Sequence, residues 1–357
     1  MISDIEERLG KMGLVKSPFL NYDADNPDFS KVFVNRTKEL YKIDLALEYY
    51  KTQSNRNIAF VGPSRIGKTT LLLYIMMRIR KQFPCLYFEY LLRFNEFCGK
   101  CLVFLNPDQA AAPDVMDSRE LGNRFIAGSG SSKGTPIIII DNLEEMLHMP
   151  EEEVEGFIRV FRRAKCLFII ACTEREWAQL MSRHQKLKYA FAEEIYIPPF
   201  SLKNCMEFFQ SRISIARKGN AEGILPFTDE AARVIGIYSC FIPGRINDLA
   251  NKVIFEALTE DIETIQPDFV RDIILRSPSI GSWLSGLNDK EIQAIEIMIE
   301  QNRPVSFEEL AELIGVSRVA VAGYMQKLVE RNITVQLDSP GKKKLFRITD
   351  AFKTVLV

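Results

Sequence analysis

Residues Gly62-Pro63-Ser64-Arg65-Ile66-Gly67-Lys68-Thr69 spell GxxxxGK[ST]. An apolar run at 57–61 precedes them and reads as a buried strand, and 70–79 follows and reads as a helix. Strand, glycine loop and helix together separate a phosphate-cradling loop from a chance match. Gly62 and Gly67 let the backbone turn so that its N–H groups point at phosphate oxygens. The helix behind them, entered through Lys68, Thr69 and Thr70, adds the positive end of its dipole. Lys68 is expected on the β- and γ-phosphates and the Thr69 hydroxyl on Mg²⁺. The expected ligands are therefore ATP or ADP with Mg²⁺.

A second run, Pro136-Ile137-Ile138-Ile139-Ile140-Asp141, has four β-branched residues ending in a carboxylate. It reads as a buried parallel strand that delivers Asp141 to the sheet edge where ligands gather. Asp141 is the expected second partner of Mg²⁺, through water. Further strand candidates lie at 84–90, 166–173 and 194–197, with helical patterns at 152–164 and 174–188. Alternation of this kind implies an α/β fold, a parallel sheet with helices on both faces. The segment 91–134 exceeds a simple crossover, and its Gly/Ser stretch at 128–134 reads as a flexible loop.

These pieces resemble the AAA+ superfamily, near the STAND ATPases and the archaeal initiator-type ATPases. Phe33-Val34-Asn35-Arg36-Thr37-Lys38-Glu39-Leu40 resembles the box FVGRxxEL that opens such modules, with Asn35 in place of Gly. The resemblance places Arg36 at the nucleotide pocket and makes Thr173 the sensor 1 residue. Phe241-Ile242-Pro243-Gly244-Arg245-Ile246-Asn247 resembles the lid motif GxPxRxIN, in which Pro243 packs on the base and Arg245 is sensor 2. AAA+ enzymes usually carry a catalytic Glu directly after the Mg²⁺ aspartate; this chain has Asn142. Glu144 and Glu145 follow, as in the STAND variant, and one of them is the expected water-polarising group. A binding-only protein is the alternative that Asn142 raises. For an arginine finger the nearest residues are Arg175 and Arg183.

The last 70 or so residues change rhythm. Helices are expected at 289–301, 307–314 and 318–331, capped by Ser306 (with Glu309 completing a capping box) and Ser317, then a hairpin of 333–337 and 345–348. This pattern resembles a winged helix-turn-helix. Residues 289–317 hold two basic and seven acidic side chains, whereas 318–357 hold eight basic and three acidic ones. The basic set includes Arg318, Lys327 and Arg331 on the third helix and Lys342, Lys343 and Lys344 on the wing. It suits the phosphates of double-stranded DNA.

A net charge of −1 confines any basic surface to a local patch. No apolar run reaches the length of a membrane span, and the acidic N-terminus is unlike a signal peptide, so a cytoplasmic location without membrane contact is expected. Cys98-Gly99-Lys100-Cys101 is a CxxC with no completing ligands, so the seven cysteines read as free thiols. The expected organisation is an N-terminal extension plus P-loop core at 1–198, a helical lid at 199–280 and a winged helix at 286–357. The function this implies is an ATP-hydrolysing switch coupled to a DNA-binding domain. Its alternative is a signalling or scaffold ATPase whose winged helix contacts a protein, or that forms homo-oligomers.

Overall fold

In the computed structural model, residues 2–20, 22, 25–51, 57–106, 117–130, 136–217, 223–337 and 344–356 are described. The chain divides into two compact units, Asp23–Pro198 and Met1–Tyr22 with Pro199–Val357. The N-terminal α1 (Ile2–Lys11) thus belongs with the C-terminal half, whereas the sequence reading assigned it to the P-loop core.

Unit Asp23–Pro198 holds α2 (Phe29–Val32), α3 (Thr37–Lys51), β1 (Ile58–Gly62), α4 (Lys68–Ile79), β2 (Cys85–Phe88), α5 (Phe94–Leu105), α6 (Ser118–Ser129), β3 (Ile137–Ile140), α7 (Glu151–Arg163), β4 (Leu167–Thr173), α8 (Glu174–Arg183) and β5 (Glu193–Tyr196). The strands form one parallel sheet in the order β2-β3-β4-β1-β5. All five strands expected from sequence are present. They declare themselves because β1, β3 and most of β4 are buried on both faces and therefore apolar throughout. The register pairs Gly62 with Thr173 and Ile140 with Ile170, so the loop, Asp141 and Thr173 gather at one edge. In the long segment after β2 the described residues form α5 and α6, and Gly128 and Ser129 close the last turn of α6 instead of opening a loop. Phe94, Phe97 and Phe125 seat these helices on Phe157 of α7, with ring centroids 5.0–6.2 Å apart. The remainder of the Gly/Ser stretch, 131–135, lies outside the described residues.

The second unit continues with α9 (Leu202–Ala216), α10 (Asp229–Tyr238), α11 (Pro243–Thr259), α12 (Pro267–Leu275) and α13 (Pro278–Leu284). Then come α14 (Asp289–Gln301), β6 (Val305–Ser306), α15 (Phe307–Ile314), α16 (Arg318–Glu330), β7 (Thr334–Leu337), β8 (Leu345–Ile348) and α17 (Asp350–Val355). Strands β6, β8 and β7 form a small antiparallel sheet beside α14–α16, the arrangement of a winged helix. Ser317 caps α16 by accepting from Ala320 N–H at 3.2 Å, and Gly315 turns the chain at φ +73°. Ser306 accepts from Glu309 N–H at 3.3 Å, while the Glu309 carboxylate pairs with Arg303.

Two arginines of the helical lid grip α14 by paired hydrogen bonds. Arg271 of α12 donates from Nε and Nη2 to Glu296 at 3.0 Å each, and Arg233 of α10 holds Glu300 at 3.1 and 2.6 Å. Glu296 is buried, so this pair is fixed in geometry as well as charge. These pairs join α10 and α12 to α14 within the unit.

Candidate nucleotide site

Lys68 is buried at the start of α4, and its Nζ donates to the carbonyls of Gly62 and Pro63 at 3.0 and 2.9 Å. Burial lowers its pKa, opposed by the charges of Glu144 and Asp141. Gly67 adopts φ +93°, a conformation only glycine reaches without strain. At Gly62 a Cβ would sit 3.0 Å from the Ile197 carbonyl, so the loop lies against the chain leaving β5. Ser64, Arg65, Thr69 and Thr70 are exposed and Pro63 is half-buried; Ile66 is buried beneath the loop.

Thr69 Oγ1 donates to Asp141 Oδ2 at 2.5 Å. Asp141 is buried, which raises its pKa; hydrogen bonds from Thr69, Asn142 N–H and Tyr87 and the charge of Lys68 act against the rise. A hydroxyl and a single carboxylate oxygen side by side suit Mg²⁺, which keeps waters and phosphate oxygens as its other ligands. Among the described residues no cluster of three or more His, Cys, Asp or Glu could hold a metal alone. The Thr69 hydroxyl and Asp141 carboxylate fit a metal brought in with a nucleotide.

Arg36 packs against the loop. It is 5% exposed and turns behind the loop, donating to Pro198 O at 2.9 Å and to Ile66 O at 3.0 Å, with Glu39 at 3.7 Å. It ties the loop to the chain leaving β5. Asn35 and Arg36 both have positive φ, 59° and 81°. A left-handed residue is needed at position 35, which Asn tolerates where the resembled box has Gly.

Asn142 is also left-handed, at φ 50°, and its Nδ2 donates to Glu89 O at 2.9 Å, tying the end of β3 to the end of β2. The amide nitrogen is thus engaged. The following 3₁₀ turn, Leu143–His148, separates the two candidate carboxylates. Glu145 is exposed, whereas Glu144 is half-buried with an Oε2 that is buried and makes no hydrogen bond. Glu144 is the strongest charge acting on Lys68 and also faces Cys172, whose thiol pKa is raised chiefly by burial. Thr173 Oγ1 is likewise buried without a hydrogen-bond partner. Thr173 stands at the N-cap of α8 with Glu176 three residues on, the spacing of a capping box, yet its side chain makes no cap bond. Glu176 was not singled out from sequence. It acts on both Lys68 and Cys172, and the capping-box spacing was its only visible signal.

In the second unit Pro243 is the first residue of α11 and Arg245 lies in its first turn, half-buried. Cys240 and Phe241 take φ 49° and 54°, so Phe241 adopts the backbone for which the resembled lid motif has Gly. Arg175 and Arg183 are exposed on α8.

Neither a protein-family model nor a curated protein sequence matches the chain. Solved structures do. The Aeropyrum pernix ORC1 protein in complex with DNA superposes at TM-score 0.52 with 14% identity, covering 93% of this chain and 94% of that one. The Aeropyrum pernix ORC2 protein with ADPNP and ADP gives 0.52 and 13% over 93% and 96%. Cdc6p from Pyrobaculum aerophilum gives 0.51 and 14% over 93% and 97%. The chain shares its fold with these ORC and Cdc6 proteins, and at this identity the likeness is one of fold alone.

On the third helix of this module, all three cations expected at DNA have partners within the protein. Lys327 Nζ donates to the buried Glu291 at 2.7 Å and to Gly286 O at 3.0 Å. Arg331 Nη1 donates to Ser285 O at 2.5 Å and Trp283 O at 3.3 Å, closing the end of α13. Arg318 pairs with Glu308 at 2.9 Å on the surface. Two of the three expected cations thus hold the module together. Lys344 is exposed at the wing, and Lys342 and Lys343 lie outside the described residues.

Proposed function

We propose that the chain is an ATP-binding and ATP-hydrolysing switch that acts on DNA. The observation that carries the nucleotide half is the contact of Thr69 with Asp141 beside Lys68, at the edge where β1, β3 and β4 end. Lys68 would leave the loop carbonyls for the β- and γ-phosphates. Thr69 and Asp141 would hold Mg²⁺, which supplies charge neutralisation at the phosphates. Glu144, with its uncommitted oxygen, would orient and deprotonate the attacking water, and Thr173 would hold that water or the γ-phosphate. Arg245 is assigned to the nucleotide through its lid motif.

Lys68→Ala is expected to weaken Mg²⁺-ATP binding on the order of tenfold to a hundredfold, the loss of a charge-assisted contact of about 1.5–3 kcal/mol. Calorimetry measures it directly, and parent-like affinity in the mutant would remove Lys68 from the site.

The DNA half draws support from the winged helix, from the exposed Lys344 and from the fold shared with an ORC1 protein seen on DNA. The arginine grip on α14 lets a change at the lid carry the winged helix with it. A second reading, winged helix against protein, is favoured by one observation. The outer face of α16 presents Val319, 82% exposed, while Lys327 and Arg331 are engaged internally. A salt series separates the two. Changing Lys342, Lys343 and Lys344 to Ala should flatten log affinity against log salt by up to about 2.7 units. A parent without salt-sensitive DNA binding, with or without ATP, would leave the protein-contact reading in place.

A further inference from the structure

On the Asp23–Pro198 unit a cleft of about 740 Å³ runs from the start of α6 across the outer face of α7 to the end of α8. Six cations line it: Arg119, Arg159, Arg162, Arg163, Arg183 and Lys186. The carboxylates Glu151, Glu152 and Glu155 stand at the α7 N-terminal end, and two of them are occupied, Glu151 by His184 at 3.3 Å and Glu155 by Lys186 at 3.5 Å. Arg119, Arg162, Arg163 and Arg183 are exposed and have no carboxylate partner among the described residues. Arg159 is half-buried, and its Nε is shielded from water without a hydrogen bond.

The placement on α7 is unfavourable by itself. Arg159 lies three and four residues before Arg162 and Arg163, so like charges share one helix face. The helix dipole compensates the two in the last turn but does not account for Arg119 and Arg183, which come from other helices. An anion filling the cleft would relieve all of them.

We propose that this cleft is a second contact surface for nucleic acid, one that takes the phosphodiester backbone without reading sequence; it rests on the DNA reading above. Five of the six cations are arginine, whose fork matches phosphate oxygens two at a time. An acidic protein is the lesser fit. Protein interfaces set their arginines among exposed aromatic anchors, and the cleft's Phe94 and Ile158 are 1% and 5% exposed. Backbone phosphates need only charge.

The test is the full-length Arg119→Gln, Arg162→Gln, Arg163→Gln variant, titrated by anisotropy into a duplex of mixed sequence at several salt concentrations. The slope of log affinity against log salt should fall by up to about 2.7 units, similarly for unrelated duplexes, with the melting temperature and ATP affinity of the parent. Parent-like slope and affinity in this variant, beside a parent that binds DNA, overturn the cleft alone. A parent that binds no duplex overturns both the cleft and the DNA reading. If polyglutamate of matched charge binds the parent as tightly as duplex and loses affinity in the variant, the cleft faces protein and the proposal fails.

Discussion

Replacing Asn57 by alanine is expected to destabilise the Asp23–Pro198 unit by about 3–6 kcal/mol, read as a fall in the urea midpoint of its unfolding transition. Asn57 is 2% exposed just before β1. Its Nδ2 donates to Phe161 O at 2.7 Å and Ala190 O at 2.8 Å, and its Oδ1 accepts from Phe168 N–H at 3.0 Å. One side chain thus joins the end of α7, the start of β4 and the turn before β5. Truncation would leave one backbone donor and two acceptors unsatisfied where solvent does not reach, each costing about 1–3 kcal/mol less any second partner. Asn57→Asp is the companion variant. It keeps the acceptor for Phe168 but sets a carboxylate oxygen against two carbonyls, so it should not restore stability. A loss below about 1 kcal/mol in the alanine variant would mean that water takes over the bonds.

That asparagine illustrates where sequence reading stops. The strands were legible because burial on both faces leaves an apolar run, and the loop was legible because phosphate cradling fixes both glycines and the lysine. Helix α14 was legible from end to end, with Ile292, Ile295 and Ile299 at helical spacing. Helices α5 and α6 were not. The first carries Gly99 and two cysteines among large apolar residues, with no polar face wide enough to show a period. The second ends in Gly128 and Ser129, whose low helix propensity is overridden by packing against α5 and α7. The site failed to read out wherever a side chain's use depends on a distant partner. The sequence does not show that Arg36 donates to the Ile66 carbonyl at 3.0 Å. Nor does it show that Lys327 pairs with Glu291, 36 residues earlier. Charge patterning reports that a cation is present; only the fold reports whether it is already paired.

For the two carboxylates after Asp141, the fold separates what the sequence left even. Glu144→Gln is expected to slow ATP hydrolysis by about 10²–10⁴-fold with ATP affinity within a few-fold of the parent, and Glu145→Gln to stay within about twofold on both. The left-handed Asn142 sends the chain into a 3₁₀ turn, in which successive residues project about 120° apart. That rotation carries Glu144 toward Lys68 and Cys172 and leaves Glu145 in solvent. A buried carboxylate oxygen with no hydrogen bond is costly in the resting protein, and a bound water is the partner that would relieve it. Thr173→Val gives a second reading of the same geometry. It removes the other uncommitted buried hydroxyl at that edge and should lower turnover while leaving the fold of β4 and the N-cap of α8 in place, since that hydroxyl makes no cap bond. Single-turnover phosphate release under saturating ATP separates these variants from contaminating activity. A slow Glu145→Gln beside a normal Glu144→Gln would reverse the assignment. A parent with no turnover would make the unpartnered oxygens a nucleotide sensor in a binding-only protein.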